Sequence, residues 1–432
     1  MTKPGVVGST QAAPATESTR FTRLTTADPD GEVPALGTEY FQDPEAVHAA
    51  LREQGPARKV VLPHGWETWI VTRYDEARAA LADPRLLKNG RVLDQYMDPE
   101  QLGDEMVFAE ALRAHMLSSD PPDHTRLRKL VNKAFTSRRV EALRPRIEAI
   151  TEELLDAMAA RGADGEPVDL IDAFAFPLPM TVICELLGVP FEDREDFRTW
   201  SAVVLADDPT DDEVRTASHA MAAYLSQLIA AKRANPGEDL LTGLVQARDD
   251  NDRLDEYELI AMAFLLLVAG HETTVNLIGN GVLALLRNPD QLDRLRADPS
   301  LVGGAVEEFL RYDGPINLAT MRFTSEPVQL GDVEIPRGQF VLVSLASANH
   351  DESRFPGGGQ LDVTRRGGGH LAFGHGIHYC VGAPLARLEA EVAFRRMLDR
   401  FPDLSLGIDS DEVRWRHSSL IHGVESLPVR LS

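Results

Sequence analysis

The stretch LIAMAFLLLVAG, residues 259–270, is the longest apolar run in a chain of 432 residues, and it limits the possible folds more than any other feature. Its twelve residues are fewer than the roughly 20 needed to cross a bilayer, and His271 and Glu272 end it. Apolar sequence resumes at once as VNLIGNGVLALL, so 255–286 reads as one long buried helix. Its centre carries AGHETT, residues 269–274. Glycine costs a helix about 1 kcal/mol against alanine, and a threonine can bond back to the carbonyl four residues earlier and bend the helix. A helix end or a polar surface turn is the bland explanation, and the return of apolar sequence argues against it. Small Ala269 and Gly270 leave room for a ligand against the helix, with Glu272 and Thr273 beside it.

Helical periodicity dominates elsewhere, at 43–54, 73–82, 140–161, 211–233 and 381–400. Strand-like runs are few: KVVLP at 59, TWIVTR at 68, VQLGDVEIP at 328 and QFVLVSLA at 339. The expected fold class is mainly α, a large helical domain with a small β-sheet region. Residues 1–20 are small and polar, without an apolar signal core, and read as a disordered tail. Residues 21–432 show no Pro/Ser-rich linker and are expected to form a single domain. The glycine-rich stretch 351–372 reads as a long ordered loop. A net charge of -24 argues against nucleic acid and against docking by bulk charge on an anionic membrane. Two cysteines, Cys184 and Cys380, make no disulfide scaffold. A soluble, cytoplasmic protein is expected.

Cys380 ends the stretch FGHGIHYC, residues 373–380, and the amphipathic run VGAPLARLEAEVAFRRML follows it. Pro384 stands where a first-turn proline is tolerated. Cys380 therefore precedes a helix N-terminus, whose partial positive charge favours a thiolate. Gly374, Gly376 and Gly382 let the backbone approach something flat and large, or take positive φ. Three readings compete. One is a buried structural cysteine, the reading that suits Cys184 on its apolar helix. The second is zinc, held by His370, His375, His378 and Cys380, although four ligands within eleven residues lack the usual paired spacing. The third is an axial thiolate on haem iron.

The same stretch matches the pattern F-G-x-G-x-H-x-C-x-G and resembles the cytochrome P-450 haem-thiolate monooxygenases. The resemblance implies the cytochrome P-450 fold enclosing haem b (iron protoporphyrin IX). It makes Cys380 the axial ligand, places Phe373 and Gly374 on the sulfur side and takes His378 to a haem propionate. AGHETT is similar to the family's A-G-x-(D/E)-T-(T/S) motif. By that likeness Thr273 orders a hydrogen bond to dioxygen, the co-substrate, and Glu272 relays protons from solvent. Glu308 and Arg311 in EEFLR, an ordinary helical pair when taken alone, resemble the E-x-x-R pair, with Arg365 of LDVTR as third member holding the cysteine loop. The triple glycines at 357 and 367 depart from the pattern and loosen this stretch, and His350 stands where arginine is more usual.

Between 126 and 146 stand eight basic residues and one acid, Glu141. The bland reading is a solvated helix face. The resemblance divides them: His124 and Arg128 turn to the propionates, with Arg322 from another segment. Arg126, Lys129 and Lys133 face an acidic electron donor. The chain has no reductase module and too few cysteines for an iron–sulfur cluster. Electrons are therefore expected from NAD(P)H through a separate ferredoxin and ferredoxin reductase.

The likeness is closest to soluble bacterial members that tailor macrolide polyketides in secondary metabolism or hydroxylate steroid-like compounds, and it spans 35–430. It implies hydroxylation or epoxidation of a bulky apolar small molecule by a monomer. The pocket is expected between 84–118, 202–209, 262–273, 316–320 and 418–423, with Ile316, Leu318 and Ile421 as apolar contacts or plain core. The acids of loop 94–110 read as solvated, or as receiving an amino-sugar cation. A haem protein that only binds ligands and a zinc hydrolase remain the competing functions.

Overall fold

The computed structural model describes residues 33–432, apart from 64, 97–109, 134, 208, 247–253 and 367. The tail expected over 1–20 and most of the acidic loop lie outside the described residues. The first helices are α1 (Pro44–Gln54), α2 (Tyr74–Ala82), α3 (Asp123–Asn132), α4 (Ser137–Glu141) and α5 (Arg144–Arg161). Next come α6 (Pro177–Leu187), α7 (Arg194–Leu205), α8 (Asp211–Ala234), α9 (Leu240–Gln246) and α10 (Glu256–Arg287). The last are α11 (Pro289–Ala297), α12 (Val302–Asp313), α13 (Leu345–Asn349) and α14 (Ala383–Arg400).

The long apolar helix is α10. Asp255 caps it in a reciprocal box with Glu258, and Asn288-Pro289 follows its last residue. It is the one helix among the described residues long and apolar enough to cross a membrane, and 78% of its apolar window is buried inside the protein. It packs against α6, α8, α12 and α14. Close approach is built in: a Cβ on Gly281 would meet Phe394 at 2.5 Å and Phe309 at 3.1 Å. The helix expected over 140–161 is two. Pro145, in the first turn of α5, lacks an N–H and starts that helix instead of continuing α4.

Strands β1 (Ala57–Val61), β2 (Glu67–Val71), β3 (Leu86–Leu87), β4 (Val168–Asp169) and β5 (Arg322–Thr324) are short, as are β6 (Val328–Leu330), β7 (Val333–Ile335), β8 (Phe340–Val343), β9 (Ser405–Leu406) and β10 (Pro428–Arg430). The main sheet has the order β1-β2-β8-β5-β3, with β2 and β8 parallel. QFVLVSLA is strand only to Val343, because the Ser344 side chain accepts from the Ser347 N–H and caps α13. β6 and β7 form a hairpin, and β4-β10-β9 a third sheet. Val33–Ser432 pack as one compact unit. Its sheet side and helical side meet around a cavity of ≈ 460 Å³.

Candidate active site

The cysteine loop is shaped by its glycines. Gly374 and Gly376 take φ of 71° and 74°, the left-handed region that favours glycine. A Cβ on Gly376 would also lie 2.9 Å from the Leu81 carbonyl, where the loop presses on the end of α2. The Cys380 N–H donates to Phe373 O at 2.9 Å, and both side chains line the cavity. Gly382 takes the other of the two alternatives, close approach without positive φ. Its φ is -81°, it precedes α14, and a Cβ there would stand 3.8 Å from Cys380 Sγ. Burial pushes the Cys380 thiol up, while the N–H groups of Gly382 and Ala383 and the Arg128 guanidinium pull the other way. These are donors suited to a bound thiolate. The histidines do not converge on Cys380 as a zinc set would require. His370 reaches Glu307 at 3.2 Å, and the His378 ring lies 4.4 Å from that of His124. Among the described residues no cluster of three or more metal-ligating side chains occurs.

Behind the loop lies a buried ion network. Arg311 donates to Glu308 at 2.8 and 2.7 Å and to the carbonyls of Asn349, Gly358 and Gln360. Arg365 completes it at 3.1 Å from Glu308 and donates to the carbonyls of Pro356 and Gly357. Arg366 is exposed. Gly357 and Gly358 of the first triple are thus held by guanidinium bonds rather than loosened. Removing one partner of such a buried set costs about 3–5 kcal/mol. The more exposed Arg387–Glu307 pair, 2.6 Å long, belongs to a class worth about 0–1 kcal/mol. Arg387 also lies 4.5 Å over the Phe373 ring. His350 fills its place by bonding Tyr312 O at 2.6 Å.

On α10 the polar intrusion faces the cavity. Thr273 Oγ1 donates to Ala269 O at 3.0 Å, the back-bond expected of a threonine within a helix. Ala269 and Thr273 line the cavity. Gly270 does so too, but the space beside it belongs to Ile183: a Cβ there would stand 2.7 Å from that side chain. Glu272 accepts from Ser201 Oγ at 2.9 Å and from Arg416 at 2.7 Å. Burial raises its pKa, but hydrogen bonding to His271 and the Arg416 charge outweigh burial and hold the carboxyl well below the usual range. Ser201 and Arg416 escape a sequence reading because they lie 71 and 144 residues from their partner.

The opposite wall is cationic. Arg322 is buried, and burial draws it down to about 10. Lys88, also buried and unforeseen, reaches Thr320 Oγ1 at 2.5 Å. Burial, then Arg322, lowers its pKa well below the usual value. Arg128 donates to Tyr379 O at 2.6 Å and lines the cavity. Buried His124 leaves Nε2 without a partner. Asp120, the acid acting on Lys88 and Arg322, already accepts the N–H groups of Lys88 and Asn89. Three cations facing one carboxylate ask for two more negative charges. The two carboxylates of a haem supply them, so the residues present fit that group.

The sequence pattern of the Cytochrome P450 family matches residues 205–406. Cytochrome P450 107B1 of Saccharopolyspora erythraea is 54% identical over 93% of this chain and 98% of its own. The 6-deoxyerythronolide B hydroxylase of that organism is 47% identical over 92% and 99%. The chain belongs to the cytochrome P450 family. The tirandamycin C-bound P450 monooxygenase TamI superposes with a TM-score of 0.85 at 52% identity, covering 92% of this chain and 100% of that one. The fold expected from the sequence is therefore the fold found, and this cytochrome P450 is a haem-thiolate monooxygenase.

Described residues from each segment named line the cavity of this cytochrome P450, together with residues of α3, α6 and the cysteine loop. Ile316 and Ile421 line it and face each other in a β-bridge. Leu318 does not line it. It bridges to Ser344 and packs with Leu36, Tyr40 and Ile70 instead, although simple alternation would have put it on the same side as Ile316. Arg126 is likewise not an unpaired docking cation: it donates to Glu258, at the start of α10, at 3.0 Å. Lys129, Lys133, Arg138 and Arg139 are exposed.

Proposed function

We propose that this cytochrome P450 hydroxylates or epoxidises a bulky, mostly apolar polyketide- or steroid-like molecule. The observation that carries this reading is the joint lining of one apolar cavity by Cys380, Thr273 and Glu272. The likeness to a 6-deoxyerythronolide B hydroxylase and to a tirandamycin-bound monooxygenase supports the substrate class. Haem held by Cys380 supplies the dioxygen chemistry, the thiolate pushing electron density to favour O–O cleavage.

The chain's own residues take the remaining roles. His124, Arg128, Arg322 and His378 hold the haem carboxylates. Thr273 Oγ1 offers a hydroxyl at the narrow side of α10. Glu272 holds an ionised carboxylate between Ser201 and Arg416, and passes a proton inward after its Oε2 leaves Arg416 and takes one up. Glu308, Arg311 and Arg365 fix the loop. Electrons come from a ferredoxin and its reductase. The face beside the cysteine loop supports such docking, with exposed Ile377 and Tyr379 next to α3 and the exposed Arg138 and Arg139 of α4. A monomeric, cytoplasmic enzyme supplied with NAD(P)H suits this arrangement.

The test is the absorption spectrum of the reduced protein under carbon monoxide. Wild type should show the red-shifted Soret band of thiolate ligation, and Cys380→Ala should lose it. A band indifferent to Cys380 refutes the assignment.

A further inference from the structure

One half-buried imidazole on the cavity wall is used by none of these roles. His115 precedes the short turn Met116–Ser118 and lines the cavity. The Ser118 N–H donates to its Nδ1 at 3.3 Å. A ring nitrogen that accepts from an N–H carries no proton itself, so the neutral ring bears its hydrogen on Nε2. Ser118 Oγ also lies 3.1 Å from Nδ1, but its hydrogen goes to Arg113 O at 2.5 Å. A hydrogen on Nδ1 would face the amide hydrogen head-on. Burial, with Lys88 nearby, draws the imidazole down to about 4, so it stays neutral at ordinary pH.

The position of the ring matters as much as its tautomer. It stacks on Phe264, with centroids 6.2 Å apart and planes at 24°. Phe264 lines the cavity from α10, two and a half turns before Thr273, or about 13 Å along the helix axis. The Nε2 hydrogen has no acceptor among the described residues. Among the described residues, Phe264, Leu265, Met116 and Leu117 give this stretch of the wall an apolar lining. Lys88 is turned to Thr320 and to the haem-carboxylate end.

We propose that the His115 Nε2–H anchors a carbonyl oxygen of the substrate at the end of the cavity remote from Thr273. The preferred substrates are then bulky apolar molecules with a ketone or lactone oxygen at the end opposite the carbon that is oxidised. The inference rests on the reading of Cys380 and Thr273 as the reacting end. It deepens that reading by naming the group that sets which carbon reaches them. A site built around a buried donor discriminates against an analogue lacking the acceptor.

The steroid ketone androstanone and its parent hydrocarbon androstane test this, each delivered from cyclodextrin and measured by equilibrium dialysis against the holoenzyme. Wild type should hold the ketone about tenfold more tightly than the hydrocarbon. His115→Phe should equalise the two, and His115→Gln, which keeps an N–H donor, should retain the preference. If the phenylalanine variant does not load haem, His115→Met replaces it. A tenfold preference that survives loss of the donor overturns the anchor, and so does a wild type indifferent to the carbonyl. A carbon monoxide spectrum without the thiolate band overturns the underlying reading instead, so the two failures are distinguishable.

Discussion

Glu389 shows how much a single side chain can reveal. It is a buried carboxyl on α14 with Oε2 unpartnered, and burial pushes it up to about 8 from the usual 4.5. Between those values the folded chain keeps a proton that the unfolded chain releases. Stability therefore falls as pH rises through this window and levels off above it. Glu389→Gln should remove that slope, so its melting temperature should exceed that of wild type near pH 8 and converge toward it near pH 5. Identical pH dependence in the two proteins would refute the assignment. This residue was passed over, although Leu385, Leu388, Glu389 and Val392 share one helical stripe and an acid on an apolar stripe is a signal. Cys380 was legible for a different reason, because the loop that presents it is continuous in sequence. Arg416 and Ser201 were not, because nothing near them reports a partner on another element. His115 was not either, since its meaning rests on a tautomer fixed by a backbone amide.

At the scale of elements, the crossing of α10 with α12 and α14 depends on a missing side chain. Gly281→Ala gains helix propensity of about 1 kcal/mol, yet its Cβ enters the fully buried Phe309 and Phe394 rings. Overpacking of that kind costs about 1–3 kcal/mol, so a net loss is expected. Gly304→Ala is the counterpart at an exposed position of α12, where a Cβ meets nothing within 4 Å, and it should stabilise by about 0.5 kcal/mol. Thermal unfolding of the two variants should move in opposite directions, and a shared direction would show that packing does not decide the crossing. Long periodic elements such as α8, α10 and α14 were readable from sequence to within a residue or two. The split between α4 and α5 and the turn from β8 into α13 were not, since a proline and a serine cap overrode periodicity there.

For the whole molecule, the balance of charge sets the approach of a partner. A chain of net charge -24 presents Arg138 and Arg139, exposed and without an ion pair among the described residues, on α4, which packs against the α14 helix that follows the cysteine loop. The double variant Arg138→Glu/Arg139→Glu should slow reduction by an acidic ferredoxin about tenfold at low salt, with the two proteins converging near 1 M salt. Stopped-flow reduction across ionic strength checks this, and a salt-independent gap would point to lost packing instead. The sequence announced this reversal of sign, but only the fold shows that Arg126, Arg144 and Arg146 are already neutralised by Glu258, Glu141 and Glu185. The same asymmetry predicts an electrical dipole with its positive end on the side of α4. On a negatively charged electrode it would settle with the cysteine loop toward the surface, the orientation in which current can replace the protein donor.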